Sequence, residues 1–418
     1  MSLFRPTSES FPSAAPAEAE GQRTSANLHE AVMDSVSSAR DSLPEQYRAH
    51  FETLRQEIIN FTEVHGISRE SLGKPDLLRE VTGKLSIPYL ERLALLLERF
   101  EYLLKHKEPK EITDPLEYAE EFYHLREQYN FQVELLEQVG ILKEGSILGI
   151  DSNIYPIPTL EQIAMRLFEH REKLSIKHDQ GFTKLLLVPF GMSLDSLQET
   201  FKQFLLDYAK KHPDFPQNKN SLLAEHFYVG ADAGGNPRLV YNPGSFPPKY
   251  RHYQTKEQIL DGQLAFLCFA PGWRVLLLQS PADVKKDGFA SIPLEHLGTT
   301  RGSKILRPDV EAHKTADDYL HLLLKNQDRP DSPYEGESGM TPEDWILAYM
   351  IHLSETGEPL DRFEKGGADK SILIGAYFLF KDVVPTAFGA VSPEVAQLGF
   401  LDYRSKHDFT GSRFVLEV

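Results

Sequence analysis

Between residues 27 and 144 large apolar side chains recur at steps of four and three. Tyr47, Phe51, Leu54, Ile58 and Phe61 form one set, and Tyr89, Leu93, Leu96, Phe100 and Leu103 a second. Phe122, Leu125, Tyr129, Val133 and Leu136 form a third. This spacing draws an apolar stripe down one side of a helix, and the stripe must face another to leave water. Helix ends are marked by chemistry. Asp114 precedes Pro115 with Glu117 three residues on, a capping arrangement with proline at the first helical position. Pro44 and Pro88 suit helix starts, and Gly66 and Gly140 suit left-handed stops. The stripes are short and broken by Pro or Gly, so the pattern predicts a bundle of three to five helices over 27–144, not a long coiled coil.

After Gly145 the period changes. Thr159 with Gln162 caps a helix carrying Ile163, Leu167 and Leu174. A strand at 182–190 follows, then Ser193 and a helix with Leu197, Phe201, Leu205 and Tyr208. Short strands are expected at 226–230, 238–241, 264–269 and 273–279, with hairpin turns at 232–237 and 270–272. Thr315 with Asp318, and Thr341-Pro342 with Asp344, open two more helices, the second ending at Gly357. Residues 371–380 and 414–418 read as closing strands. Residues 1–26, rich in Ser, Pro, Ala and Glu, bury too little surface to offset their ordering entropy and read as a disordered tail. The expected fold class is α+β, with an N-terminal helical bundle (27–144), a mixed α/β domain (145–330) and an aromatic- and glycine-rich C-terminal module (331–418) packed on it.

Charge and cysteine usage remove several functions. Acidic residues outnumber basic ones by 62 to 45, for a net charge of −17. A surface so negative repels phosphate backbones and anionic lipid, so neither nucleic acid nor a membrane is an expected partner. No apolar run approaches the roughly 18 residues of a membrane helix, and the N-terminus lacks a secretory pattern, which places the chain in the cytoplasm. The single Cys268 excludes internal disulfides and cysteine-based zinc sites.

Candidate reactive groups read as structural ones. Ser193 follows a strand, but Leu194 stands where a hydrolase elbow needs glycine, so it reads as a helix cap. Cys268, in the apolar stretch 264–269, reads as a buried, inert thiol. The 298–304 loop (GTTRGSK) lacks the spacing of a P-loop. It reads as a solvated basic loop, with Arg301, Lys304 and Arg307 as the groups available to hold an anion. Asp232 to Asn236 reads as a hairpin turn, not a calcium loop. The histidines lack metal-ligand spacing, and Glu120-Glu121 and Asp317-Asp318 are adjacent pairs whose side chains point apart. No catalytic residue, metal or cofactor is expected.

The C-terminal stretch concentrates aromatics among glycines. Residues 341–367, 373–378 (LIGAYF), 384–388 (VPTAF) and 411–418 (GSRFVLEV), with 185–197 (LLLVPFGMSLDSL), resemble a group of uncharacterised bacterial proteins over about 146–418. The ending of that group is similar to the last strand of C-type-lectin-like domains, formylglycine-generating enzymes among them. The resemblance matches Gly411 and Arg413 to the Gly and Arg of that strand, and the stretch between Phe388 and Tyr403 to the exposed ligand-binding segment. Formylglycine-generating enzymes work through cysteines near this end, and this chain has none after Cys268, so oxidase chemistry is excluded. The sequence therefore points to a non-enzymatic binding or scaffolding protein, with Phe388, Tyr403 and Arg404 as a surface patch for a protein or small polar ligand. The alternative is a hydrolase or transferase with a pocket in 146–330, drawing on Asp232, His252, Arg274 or Arg301. A third reading is an assembly protein that associates through the bundle.

Overall fold

The computed structural model describes residues 38–68, 87–110, 112–213, 215, 222–234, 236–248, 252–283, 286–326, 329–361, 367–389 and 396–418. The expected tail at 1–26 lies outside them. The chain divides into two compact units, Met1–Thr113 and Asp114–Val418.

The described residues of the first unit include two long helices, α1 (Arg48–Val64) and α2 (Ile87–His106), after short helical turns at Ser38–Asp41 and Glu45–Tyr47. The two expected stripes meet: Phe51, Leu54, Ile58 and Phe61 on α1 are buried with Leu93, Leu96, Phe100 and Leu103 on α2. The Phe51 and Phe100 rings lie 5.1 Å apart at their centroids. Gly66, at φ +62°, follows the end of α1.

The second unit opens with α3 (Pro115–Tyr123) and α4 (Leu125–Gln138), then a hairpin of β1 (Ser146–Leu148) and β2 (Ile154–Pro156). Helices α5 (Leu160–Glu169) and α6 (Arg171–Asp179) lead to β3 (Phe182–Val188), α7 (Leu194–Lys211), β4 (Leu222–Ala224) and β5 (Leu239–Tyr241). Next come α8 (Lys256–Ala265), β6 (Arg274–Gln279), β7 (Thr300–Arg301), β8 (Arg307–Pro308) and α9 (Ala316–Asn326). The unit ends with β9 (Glu337–Gly339), α10 (Pro342–Thr356), β10 (Lys370–Ile372), β11 (Ala376–Phe378), β12 (Val383–Gly389), β13 (Ala396–Asp402), β14 (Thr410–Gly411) and β15 (Phe414–Glu417). The protein is thus α+β, and no helix among the described residues is long and apolar enough to cross a membrane.

Two sheets frame this unit. One has four strands in the order β3-β6-β15-β9, all antiparallel, with Leu277 facing both Leu185 and Leu416. The other has seven strands around the pair β12 and β13, which match from Val383↔Asp402 to Gly389↔Ala396. Helix α10 packs against β3, β12 and α7. From Pro342 to Ile351 every residue of α10 is buried. A helix apolar on every side belongs in a core, and its polar first turn must then find internal partners. Strands from Glu337 onward complete both sheets, so residues 331–418 share the core of the unit.

The expected bundle over 27–144 is divided by the structure, because α3 and α4 belong to the second unit. The reason is polar. Gln132 donates from Nε2 to the Leu185 carbonyl and accepts the Leu187 N–H at Oε1, both at 2.8 Å. Gln128 accepts the Leu185 N–H at 2.8 Å and donates to the Thr183 carbonyl at 3.0 Å. Two glutamines one helical turn apart thereby occupy the outer edge of β3, where a further strand would otherwise pair.

Other expectations are corrected locally. Residues 264–269 are not a strand: Thr255 and Gln258 form a reciprocal capping box that opens α8, which runs to Ala265. Phe266 and Leu267 are then 88% and 89% exposed, and Cys268 is exposed, not buried. Residues 226–230 form turns after β4. The stretch 371–380 breaks into β10 and β11 around Gly375, where a Cβ would meet the Gly339 carbonyl oxygen at 2.3 Å.

Candidate functional site

Unpaired buried charge is expensive, so the charged residues inside the second unit reveal what the fold was built to tolerate. At the start of α10, Glu343 is fully buried and takes hydrogen bonds from the Tyr241 hydroxyl (2.6 Å) and from Lys256 Nζ (2.8 Å). Lys256 also donates to Asp232 (2.5 Å) and to the Met192 carbonyl (2.9 Å). Asp232 in turn accepts the Leu194 N–H at the start of α7 (2.8 Å). Burial opposes the charge on Lys256, but Glu343 and Asp232 outweigh it and hold its pKa above the usual lysine value. Next along, Asp344 accepts the Thr341 N–H (2.8 Å) and pairs with Arg274 (2.5 Å), which reaches Glu417 as well (3.4 Å). Burial lifts the Asp344 carboxyl to about 6 although Arg274 pulls it down. These groups set two cations against four carboxylates, and Asp232 Oδ1, Glu343 Oε2 and Asp344 Oδ1 are buried without a hydrogen-bond partner.

A second pair of nodes is built on Glu337 and Asp361, both buried. Glu337, fully buried on β9, is held by Lys177 (2.7 Å) and by a two-pronged Arg307 contact (2.8 and 2.7 Å). Arg307 donates its remaining nitrogen, Nη1, to Gln279 (3.2 Å). Asp361 accepts from Trp345 Nε1 (2.9 Å), Ser371 Oγ (2.7 Å) and Arg413 Nη1 (3.2 Å). Arg413 also donates from Nη2 to the Ala290 carbonyl (2.9 Å), but its buried Nε has no hydrogen-bond partner.

Between these nodes lies a narrow cleft, partly open to solvent, with a cavity volume of about 30 Å³. Three arginines line it: Arg301 from β7, Arg307 from β8, and Arg413 just before β15. Gln279, Ser291, Ser412 and the Asp309 carboxylate add polar groups, and Ile292, Val310 and Phe414 add apolar wall. Arg301 donates from Nη1 to the Ser280 carbonyl (2.7 Å), while its buried Nε lacks a hydrogen bond and stands 3.6 Å from Asp309. Burial, with Arg307 nearby, lowers the Arg301 pKa, and burial lowers that of Arg413.

The structure separates the residues expected to form a surface patch. Tyr403 is buried, 6% exposed, in a core cluster with Phe246, Tyr377 and Phe414. Arg404 is exposed and lies over the Tyr403 ring at 4.8 Å. Phe388 lies at the other end of the β12–β13 pair, half-buried beneath Lys370 Nζ at 5.4 Å. The residues of the enzyme alternative are dispersed too. Asp232 and Arg274 are spent in the two ion clusters, His252 is exposed, and Arg301 lines the cleft. Ser193 caps α7 by accepting the Ser196 N–H. Of the basic loop, Lys304 stays exposed while Arg301 and Arg307 turn inward. Among the described residues no group of three or more His, Cys, Asp or Glu is placed to hold a metal ion.

Compared with protein-family models, curated proteins and solved structures, the chain matches none. The cleft must be interpreted from its own chemistry.

Proposed function

We propose that this is a non-enzymatic binding protein that takes a small polar ligand into the arginine-lined cleft of residues 114–418. One observation supports the reading above the rest: hydrogen-bond donors converge on a concave site that no nucleophile–base pair shares. The hydroxyls lining it are Ser291 and Ser412, and Ser412 donates to the Ile372 carbonyl. Among the described residues no histidine, cysteine or lysine lines the cleft to activate either, and the Asp309 carboxylate there is engaged by Thr299 and faces Arg301. On this reading the protein works in the cytoplasm among small metabolites. The resemblance of its ending to lectin-like domains, with Arg413 at a matching position, fits a binding role.

The test is to titrate the isotope-labelled full chain with pools of small polar metabolites and follow the amides of Ser291, Val310 and Ser412. Shifts should be confined to the cleft and vanish in Ser291→Trp, which fills the mouth from an exposed position. Mass spectrometry should recover the ligand unchanged. Recovery of a converted product, or no shift with any pool, overturns the reading.

A further inference from the structure

The donors of this cleft are unevenly spent. All three nitrogens of Arg307 are committed, to Glu337 and Gln279. Arg413 gives Nη1 to Asp361 and Nη2 to the Ala290 carbonyl, Arg301 gives Nη1 to the Ser280 carbonyl with Asp309 3.6 Å from its Nε, and in each the buried Nε–H makes no hydrogen bond. Arg413 is 8% exposed, so water cannot freely supply the missing acceptor. Guanidinium is a donor-only group, and its Nε–H and adjacent Nη–H form a fork matched to two oxygens of a carboxylate or phosphate.

We propose that the cleft is built for an oxyanion, a carboxylate or phosphate group on its small ligand, held between the unpartnered Nε–H groups of Arg301 and Arg413. Arg307 acts as a positioning residue that fixes Gln279 and adds to the field. The narrowness of the cleft limits the occupant to a compact anionic group, and the net charge of −17 disfavours polyanions. This assignment rests on the binding reading above and specifies its ligand class.

The experiment observes the arginine Nε–Hε resonances of the full-length protein during separate titrations with inorganic phosphate, acetate and glucose. Phosphate or acetate should move the Arg301 and Arg413 signals, and whichever acts names the group preferred; glucose should leave them in place. Arg301→Gln, which removes the guanidinium at a half-buried position, should weaken the anion at least tenfold. Arg413→Gln strands Asp361 and risks unfolding, so for Arg413 the wild-type resonance is the readout. If both anions leave the cleft unmoved while a neutral metabolite from the pools shifts the Ser291 and Ser412 amides, the oxyanion assignment falls and the binding reading stands. If no probe reaches the cleft, both fall.

Discussion

His352 on α10 accepts the Phe289 N–H at Nδ1 (3.0 Å), an interaction that requires a neutral ring. Burial drives its pKa down to about 3, with Arg413 and Lys184 adding to the effect. In the unfolded chain the ring protonates near 6.5. Between these values the unfolded state binds the extra proton, so stability is full above about 6.5 and drains away as the pH falls toward 3. At ~1.4 kcal/mol per pH unit, the loss from this residue reaches at most about 2 kcal/mol by pH 5. His352→Gln keeps an acceptor and removes the titration. Its urea midpoint should change less than that of the wild type between pH 7 and pH 5, and equal slopes would refute the assignment. Local chemistry of this size was partly legible in the sequence. The caps at Thr159, Ser193 and Thr341 stand where the one-letter pattern placed them, because capping is settled within four residues. Lys177 with Glu337, and Arg413 with Asp361, were not legible: their partners lie far apart along the chain and no spacing rule joins them.

Helix α4 carries the clearest lesson about elements. Of its sequence stripe Leu125 and Leu136 are buried as expected, yet Gln132 and Leu135 are buried more deeply than Tyr129 and Val133. Hydropathy sends a glutamine to water, and it cannot anticipate that the helix will face the bare backbone edge of a strand. That edge also set the boundary of the unit, which the periodicity alone extended from 27 to 144. Gln132→Leu should strand the Leu185 carbonyl and the Leu187 N–H together. With each buried unsatisfied group costing ~1–3 kcal/mol, a loss of about 3 kcal/mol is expected in chemical denaturation, alongside faster hydrogen exchange at Leu187. An unchanged midpoint would show that water or another group replaces the amide. The expected strand at 264–269 has a related cause: its apolar run looks β-like, whereas the Thr255–Gln258 box upstream commits Leu264 and Ala265 to α8 and leaves 266–269 to the turn that follows.

For the whole molecule, the α+β class followed from the change of period after Gly145, whereas the division at Thr113/Asp114 followed from contacts no period reports. Residues 114–418 expressed alone should therefore fold. Their denaturation midpoint should coincide with one of two transitions of the full chain; a segment that binds hydrophobic dye and melts without cooperativity would contradict the division. The cleft belongs to this same scale, since its arginines come from β7, β8 and the approach to β15, and only the folded sheets bring them together. The position of β15 has a kinetic consequence. Because it lies between β6 and β9, the central ladder cannot close before segments from Phe182 to Glu417 have found one another. Search over so long a loop is slow relative to joining neighbouring helices. The α1–α2 pair should therefore acquire protection first, while the larger unit waits, its apolar strands exposed, for the last piece to arrive.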